Sequence, residues 1–594
     1  MYVKKLSLAV VLAFTTLGAA AVQPAPTTTI KIIAINDFHG NLNSPGSFNG
    51  KASGGVDELA GYVTDLKSRN PNSVVVSAGD LIGASPLVSA LFHDEGTIET
   101  MNRLGLDFNA VGNHEFDEGR SELLRMQQGG CHPTDVNSCQ GAVVGTPVPF
   151  EGAKFKFLAA NVVDTASGKT VFPAYRIKEF ESEDKSGKHG EKGHEEAETR
   201  VAFIGMTLKE TPTIVTPSGV AGLQFNDEAA TVNALVPKLR KRGVEAIVVL
   251  IHQGGAQTTP PSPADINGCV GGLSGSPIKD IVAQLDDSVD LVISGHTHQA
   301  YNCMLPNKAG RNIPVTSANA FGRVLTDIDM TIDNKSGDVV SVSANNLVVD
   351  RTNAAIMPNA TIKGIVDQYN NLVSPIAGQV IGSITADATN FANAAGEMDA
   401  GDLIADAQLA ATQPAQFGGA RIAFMNAGGV RNPGFVFSQI SGGEAAGDVT
   451  YGEAFTVQPF GNSLVTMTLT GQQIKDVLEQ QFPGCMGQTV KRIMQVSNGF
   501  SYSWSNAAPA CAKISNMSLN GAPIDLVASY RVTVNNFMST GGDGFSVLTG
   551  GTNLLGGAQD IDALVAYMAG FKAPNAPYNP ADVSLHKPRI TKLP

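Results

Sequence analysis

Charge is scarce in this chain, and what there is leans negative. Asp, Glu, Lys and Arg make up 16% of the 594 residues against 43% hydrophobic residues, and the formal net charge is −13. So small a charged fraction beside so much apolar material excludes an intrinsically disordered chain and predicts sizeable buried cores. The acidic balance argues against adhesion to a nucleic acid polymer or an anionic lipid surface, so a phosphate-bearing ligand would need locally concentrated positive charge. None of the six cysteines stands in a CxxC spacing, which argues against thiolate metal binding. No internal repeat is visible. No apolar run beyond the N-terminus is long enough for a membrane span, which wants roughly 20 residues.

At the N-terminus, Lys4 and Lys5 precede an apolar stretch from Leu6, and Ala19 to Ala21 form a small-residue cleavage pattern. Residues 1–21 therefore read as a secretory signal peptide, and the expectation is export to the periplasm or the medium without a membrane anchor. Cys131, Cys139, Cys269, Cys303, Cys485 and Cys511 suit an oxidising compartment. Several connectivities are open; proximity along the chain favours Cys131 with Cys139, Cys269 with Cys303, and Cys485 with Cys511.

The length exceeds what one core organises and predicts at least two domains. Over residues 28–350, β-branched runs alternate with helical patterns, the signature of a layered α/β domain. Four strand candidates, IKIIAI, SVVVSA, EAIVVLI and VDLVIS, are each followed by polar residues: NDFHG, GDL, HQGG and GHTHQ. Residues 180–200 are charged without apolar periodicity and read as a solvated insertion despite His189 and His194. Residues 351–377 carry a helical pattern flanked by prolines and read as a linker helix; residues 378–594 form a second α/β region with strand candidates RIAFM, LVTMTL and YRVTVNN. Tyr502 and Trp504 in GFSYSW read as core strand aromatics.

Half of the ten histidines fall in the polar segments that follow these strands and in GNHEFD. Asp37 and His39 stand in NDFHG, Asp80 in GDL, Asn113, His114 and Asp117 in GNHEFD, His252 in IHQGG, and His296 and His298 in GHTHQ. A single strand-end Asp or His is ordinarily a cap or a surface group. Together, carboxylate, imidazole and amide donors in this mixture suit borderline divalent metals such as Zn²⁺ or Mn²⁺, and converging buried charges without a cation would be expensive to desolvate.

The ordered set of motifs resembles the calcineurin-like metallophosphoesterases, and more closely the 5′-nucleotidase family that includes UDP-sugar hydrolase and ecto-5′-nucleotidase, over nearly the whole chain after the leader. The resemblance implies an N-terminal four-layer sandwich, two β-sheets flanked by helices, and a C-terminal α/β substrate-binding domain. It implies one divalent ion on Asp37, His39, Asp80 and His298 and another on Asp80, Asn113, His252 and His296. His114 would act on developing charge at the leaving group, with Asp117 fixing its orientation. In FMNAGGVR, VQPFGN and NNFMSTGGDGF the resemblance assigns substrate contacts to Asn426, Arg431, Phe460, Asn462, Phe537 and Asp543, the phenylalanines on either face of a nucleobase and Asp543 near the ribose hydroxyls. Relatives carry arginine shortly before the helix that matches GDLIADA, whereas this chain reads NFANAAGEMDAGDLIADA with no basic residue. Closure between the two domains is implied as well.

The expected activity is release of phosphate from 5′-nucleotides, with UDP-sugars or dinucleotide pyrophosphates as further substrates. The alternatives are a 2′,3′-cyclic nucleotide phosphodiesterase with 3′-nucleotidase activity, which shares the architecture, and a noncatalytic extracellular binding protein, which would have lost metal ligands that are all filled here.

Overall fold

The computed structural model describes residues 26–135, 137–140, 150–181, 198–215, 217–258 and 263–594. The expected signal peptide lies outside the described residues, as does most of the charged segment 180–200.

The N-terminal half contains two six-stranded sheets. In chain order their strands are β1 (Thr27–Ile35), β2 (Ser73–Ser77), β3 (Phe108–Ala110), β4 (Lys156–Leu158), β5 (Tyr175–Glu181), β6 (Glu198–Thr207), β7 (Ala246–His252), β8 (Leu291–Ser294), β9 (Ala300–Pro306), β10 (Asn312–Ala318), β11 (Val324–Asp333) and β12 (Val339–Val348). The first sheet runs β12-β11-β1-β2-β3-β4 and the second β9-β10-β8-β7-β6-β5. Strands β1 to β4 are mutually parallel, as are β6, β7, β8 and β10.

Alternation of side chains explains why these strands read as unbroken apolar runs: both faces are covered. Ile30, Ile32 and Ala34 point between the sheets, where they meet Val74, Val76, Phe203, Val248, Leu250 and Ile293. Ile33 and Ile35 face outward onto a helical layer that includes Leu59, Val63, Leu66 and Met101. Ile247, Val249 and Ile251 do the same on the far side, against Val232, Val236, Ile278 and Val282. The result is a helix, sheet, sheet, helix sandwich.

A helix, α1 (Ala360–Ala377), follows and buries Ile362, Ile365, Val366, Tyr369 and Val373 against the first helical layer. Its Asn359 cap accepts a hydrogen bond from Ile362 N, as an N-terminal Asn should. Beyond it, α2 (Asp399–Thr412) packs on a five-stranded sheet of β13 (Ile422–Met425), β14 (Ser463–Thr470), β15 (Gln495–Val496), β16 (Ser529–Asn535) and β17 (Thr552–Gln559), ordered β15-β13-β16-β14-β17. Tyr502 and Trp504 lie on the strand Phe500–Ser505 and are 2% and 0% exposed. Three disulfides join Cys131 to Cys139, Cys269 to Cys303 and Cys485 to Cys511.

Candidate active site

The sandwich explains why residues from five separate segments meet. Ligands gather beyond the carboxyl ends of parallel strands, where side chains leave the covered sheet. Asp37 and His39 follow β1, Asp80 follows β2, Asn113 and His114 follow β3, His252 closes β7, and His296 and His298 follow β8.

Two clusters result. The ligand atoms of Asp37, His39 and His298 lie within 4.8 Å of one another, and so do those of Asp80, His252 and His296. The clusters touch: His39 Nε2 is 3.6 Å from Asp80 Oδ2, which is 2.9 Å from His252 Nε2. His298 Nε2 is 3.5 Å from Asp37 Oδ1 and 3.1 Å from His39 Nε2. His39 and His252 each place Nδ1 at 2.8 Å from a backbone carbonyl, Gly83 O and Ala78 O. A carbonyl only accepts, so Nδ1 carries the proton and Nε2 is left to ligate, as in metal-bound histidines.

The backbone is strained to reach this arrangement. Asp37, His39, Asp80, His296 and His298 all have positive φ, between 48° and 71°. For residues with a Cβ this left-handed region costs roughly 1–2 kcal/mol each, and such strain concentrates at functional sites. Two motif glycines answer a different need, space. A Cβ on Gly79 would lie 2.5 Å from His252 Nδ1, and one on Gly112 would lie 2.2 Å from Asp80 Oδ1.

Burial sets the protonation states. It holds His39 and His296 at about 3 and His298 well below its usual value, the charge on His114 adding to the effect at His39 and that on His252 at His296. Burial pushes Asp37 up to about 7. Burial works against the charge on His252 as well, but the Asp80 carboxylate beside it raises this group to about 10, and His252 in turn keeps Asp80 well below the usual carboxylate range in spite of burial. Asp80 thus has the His252 and His114 imidazoles for counter-charge and Asp37 has His252, and divalent cations would add positive charge that favours both carboxylates.

The donors fit such ions on a second ground. Asn113 Oδ1 is buried without a hydrogen-bond partner, and His252 Nε2 faces the Asp80 carboxylate at 2.9 Å. Buried polar atoms rarely stay unpaired unless something else binds them.

Next to the clusters a pocket of about 180 Å³ is lined from both halves of the chain. Asn113, His114, Asp117, Ile214, Val215 and His296 come from the sandwich; Asn426, Arg431, Phe460, Asn462, Phe537 and Asp543 come from the C-terminal half. The structure therefore brings together every substrate-contact candidate named from the sequence. His114 Nδ1 lies 2.8 Å from Asp117 Oδ2, and its ring stacks on Phe460 at 5.8 Å. Arg431 sits 5.6 Å over the same Phe460 ring and makes no ion pair among the described residues. Asn426 donates to Asp543 Oδ2 at 2.9 Å and accepts from Asn535 Nδ2 at 3.0 Å.

Family models match both halves: calcineurin-like phosphoesterase over residues 30–300, and the 5′-nucleotidase C-terminal domain over residues 380–550. The chain belongs to the 5′-nucleotidase family. It is 30% identical to the cell wall protein Lmo0130 of Listeria monocytogenes over 94% of its own length and 69% of the relative. It is 30% identical to endonuclease YhcR of Bacillus subtilis over 93% of its length, but spans only 40% of that relative. A 5′-nucleotidase precursor from Thermus thermophilus superposes with a TM-score of 0.72 at 25% identity, covering 95% of this chain and 99% of the other. Membership makes the protein a metal-dependent phosphoester hydrolase of two-domain α/β architecture.

Three further residues of this site carried no assignment from the sequence. Glu115, inside GNHEFD, is 3% exposed and gathers the amides of Asp80, Leu81 and Gly112. Asn535 ends β16 and orients Asn426. Arg492 enters the pocket from the loop before β15 and pairs with Asp543 Oδ1 at 2.8 Å. Glu115 had a signal in its motif; a lone arginine in a loop had none.

Proposed function

We propose that this protein is an exported dinuclear-metal phosphohydrolase that releases phosphate from 5′-nucleotides, acting also on UDP-sugars or dinucleotide pyrophosphates. One observation carries the reading: two adjoining ligand clusters open onto the same pocket as an unpaired arginine and two aromatic rings. One ion, Zn²⁺, Mn²⁺ or similar, is assigned to Asp37, His39, Asp80 and His298, the other to Asp80, Asn113, His252 and His296. When bound, such ions supply Lewis-acid polarisation and water activation for in-line phosphoryl displacement.

The chain's own groups do the rest. Arg431 grips the phosphate in two-point geometry, and Gly428 and Gly429 let the backbone come close. Phe460 and Phe537 hold the base between two aromatic faces, which tolerates different bases. Asn426 and Asn462 offer polar contacts to the base, and Asp543 takes the ribose hydroxyls. Burial opposes charge on His114, but Asp117 and Asp80 raise its pKa, which favours a charged imidazole facing the oxygen on which negative charge develops. Closure of the C-terminal half onto the sandwich brings phosphate and His114 together. Three disulfides suit an oxidising compartment outside the cytosol.

The test is phosphate release from AMP with added Mn²⁺ or Zn²⁺, before and after chelation, alongside UDP-glucose, NAD, 3′-AMP and 2′,3′-cyclic AMP. Turnover of AMP that vanishes on chelation supports the reading; turnover confined to 3′-AMP and the cyclic nucleotide would replace it.

A further inference from the structure

The residues before α2, FANAAGEM from Phe391 to Met398, contribute no basic side chain. Small residues there, Ala392, Ala394 and Gly396, leave a groove of about 390 Å³ that adjoins the nucleotide pocket and shares Gly428, Arg492 and Asp543 with it. This wall is fixed in place: Trp504 Nε1 donates to Ala395 O at 2.9 Å and Gln495 Nε2 donates to Gly396 O at 2.9 Å.

Arg492 stands at the partition between the two spaces. Its segment is held by the Arg492 N to Gln481 O bond of 2.8 Å and by Gln488 Nε2, which donates to Asp543 O at 2.9 Å. Apart from the imidazoles, the pocket's cationic side chains among the described residues are Arg431 and Arg492. A nucleoside 5′-monophosphate carries close to two negative charges at neutral pH. The ions and His114 bear on that charge from the sandwich side; from the C-terminal half Arg431 alone offers one guanidinium fork. Arg492 engages Asp543 through one terminal nitrogen, so the rest of its five-donor fork remains for a second acceptor.

We infer that Arg492 is the second guanidinium that grips the 5′-phosphate, anchored on Asp543 and acting opposite Arg431. The inference rests on the nucleotide reading of the pocket and deepens it: the phosphate clamp of this chain is assembled from the loop before β15, not from the segment before α2. Asp543 then links two parts of one ligand, holding the phosphate-binding arginine with Oδ1 while its remaining acceptor sites serve the ribose.

The experiment compares AMP as substrate with adenosine as a competitive inhibitor, which has the ribose and base but no phosphate. Removing a charge-assisted contact in Arg492→Ala should raise KM for AMP about tenfold or more and leave the adenosine Ki within about twofold. Arg492→Lys, which keeps the charge but loses the fork, should lie between. Lys491→Ala, a neighbouring cation whose Nζ lies 4.1 Å over the Trp504 ring, should leave both constants unchanged. A parallel rise in KM and Ki would overturn the inference, since Arg492 would then act only by holding Asp543; so would no change in either. If Arg492→Ala melts early, Arg492→Lys at wild-type melting temperature decides by the same comparison. Wild-type protein that fails to release phosphate from AMP would overturn the nucleotide reading and this inference together, whereas normal turnover with an unaltered KM in the variants overturns this inference alone.

Discussion

Glu115→Gln isolates the support beneath the metal clusters from the clusters themselves. The Glu115 carboxylate accepts from Gly112 N at 2.6 Å and Asp80 N at 3.0 Å through Oε2, and from Leu81 N at 2.8 Å and Asn109 Nδ2 at 3.1 Å through Oε1. All four donors are N–H groups, so an amide of the same shape can satisfy only two of them and turns its own NH₂ toward the other two. With about 1.5–3 kcal/mol per hydrogen bond to a charged acceptor, the variant loses about 3–6 kcal/mol. At roughly 2–4 °C per kcal/mol for a domain of a few hundred residues, the melting temperature falls by about 6–24 °C. Burial and the charge on Asp80 push the Glu115 carboxyl up to about 7. The melt is therefore run near pH ~8, where most of the carboxylate is ionised. Because the same bonds fix the loops carrying Asp80 and Asn113, metal content per chain after dialysis, read by elemental analysis, should fall as well. A variant that melts within about 2 °C of wild type and retains its metal would refute the argument that these four bonds hold the site.

Three other outcomes are expected. His114→Ala should keep its metal but lose about 10²- to 10⁴-fold in phosphate release, the usual contribution of a positioned acid or base; full activity with both metals retained would remove His114 from the chemistry. Phe460→Ala or Phe537→Ala should weaken nucleotide binding by about 1–3 kcal/mol, seen as a higher KM for AMP and UMP alike; equal KM values would return the ring to a packing role. The last concerns stability. His93 lies 2.5 Å from Glu118 and 3.0 Å from Asp135, with Glu122 4.0 Å away and the His132 ring stacked at 4.5 Å. Burial opposes its charge, yet the carboxylates raise its pKa to about 9. A folded value above the unfolded one of about 6.5 adds stability that is complete below pH ~6.5 and lost as pH rises through about 9. The melting-temperature gap between wild type and His93→Gln should therefore narrow over that range, and a constant gap would contradict it.

The convergence of Asp37, His39, Asp80, His252, His296 and His298 was legible because each follows a recognisable strand, while GNHEFD entered through the family resemblance. In a sheet covered on both faces the strand is an apolar run, so the first polar residues after IKIIAI, SVVVS and LVIS stand out, and the order of the motifs did the rest. Disulfide partners were legible for a related reason: each pair closes a short loop within one unit. Glu115 was visible but mute, since nothing in GNHEFD distinguishes a carboxylate that binds metal from one that gathers backbone amides. Arg492 was invisible. It lies 61 positions after Arg431 along the chain, in a loop with no periodic pattern, and its partner Asp543 is a further 51 positions on.

By itself, then, the amino-acid order determined which polar side chains are offered at the strand ends, because local polarity and strand periodicity are properties of neighbouring residues. Only the tertiary structure decided how they are used. The facing of two sheets at the carboxyl ends of their inner strands joins His39, Asp80 and His252 into one centre, and the packing of one half on the other lays Phe460 against His114. Those contacts depend on the free energy of burying distant segments together, which no window along the chain contains.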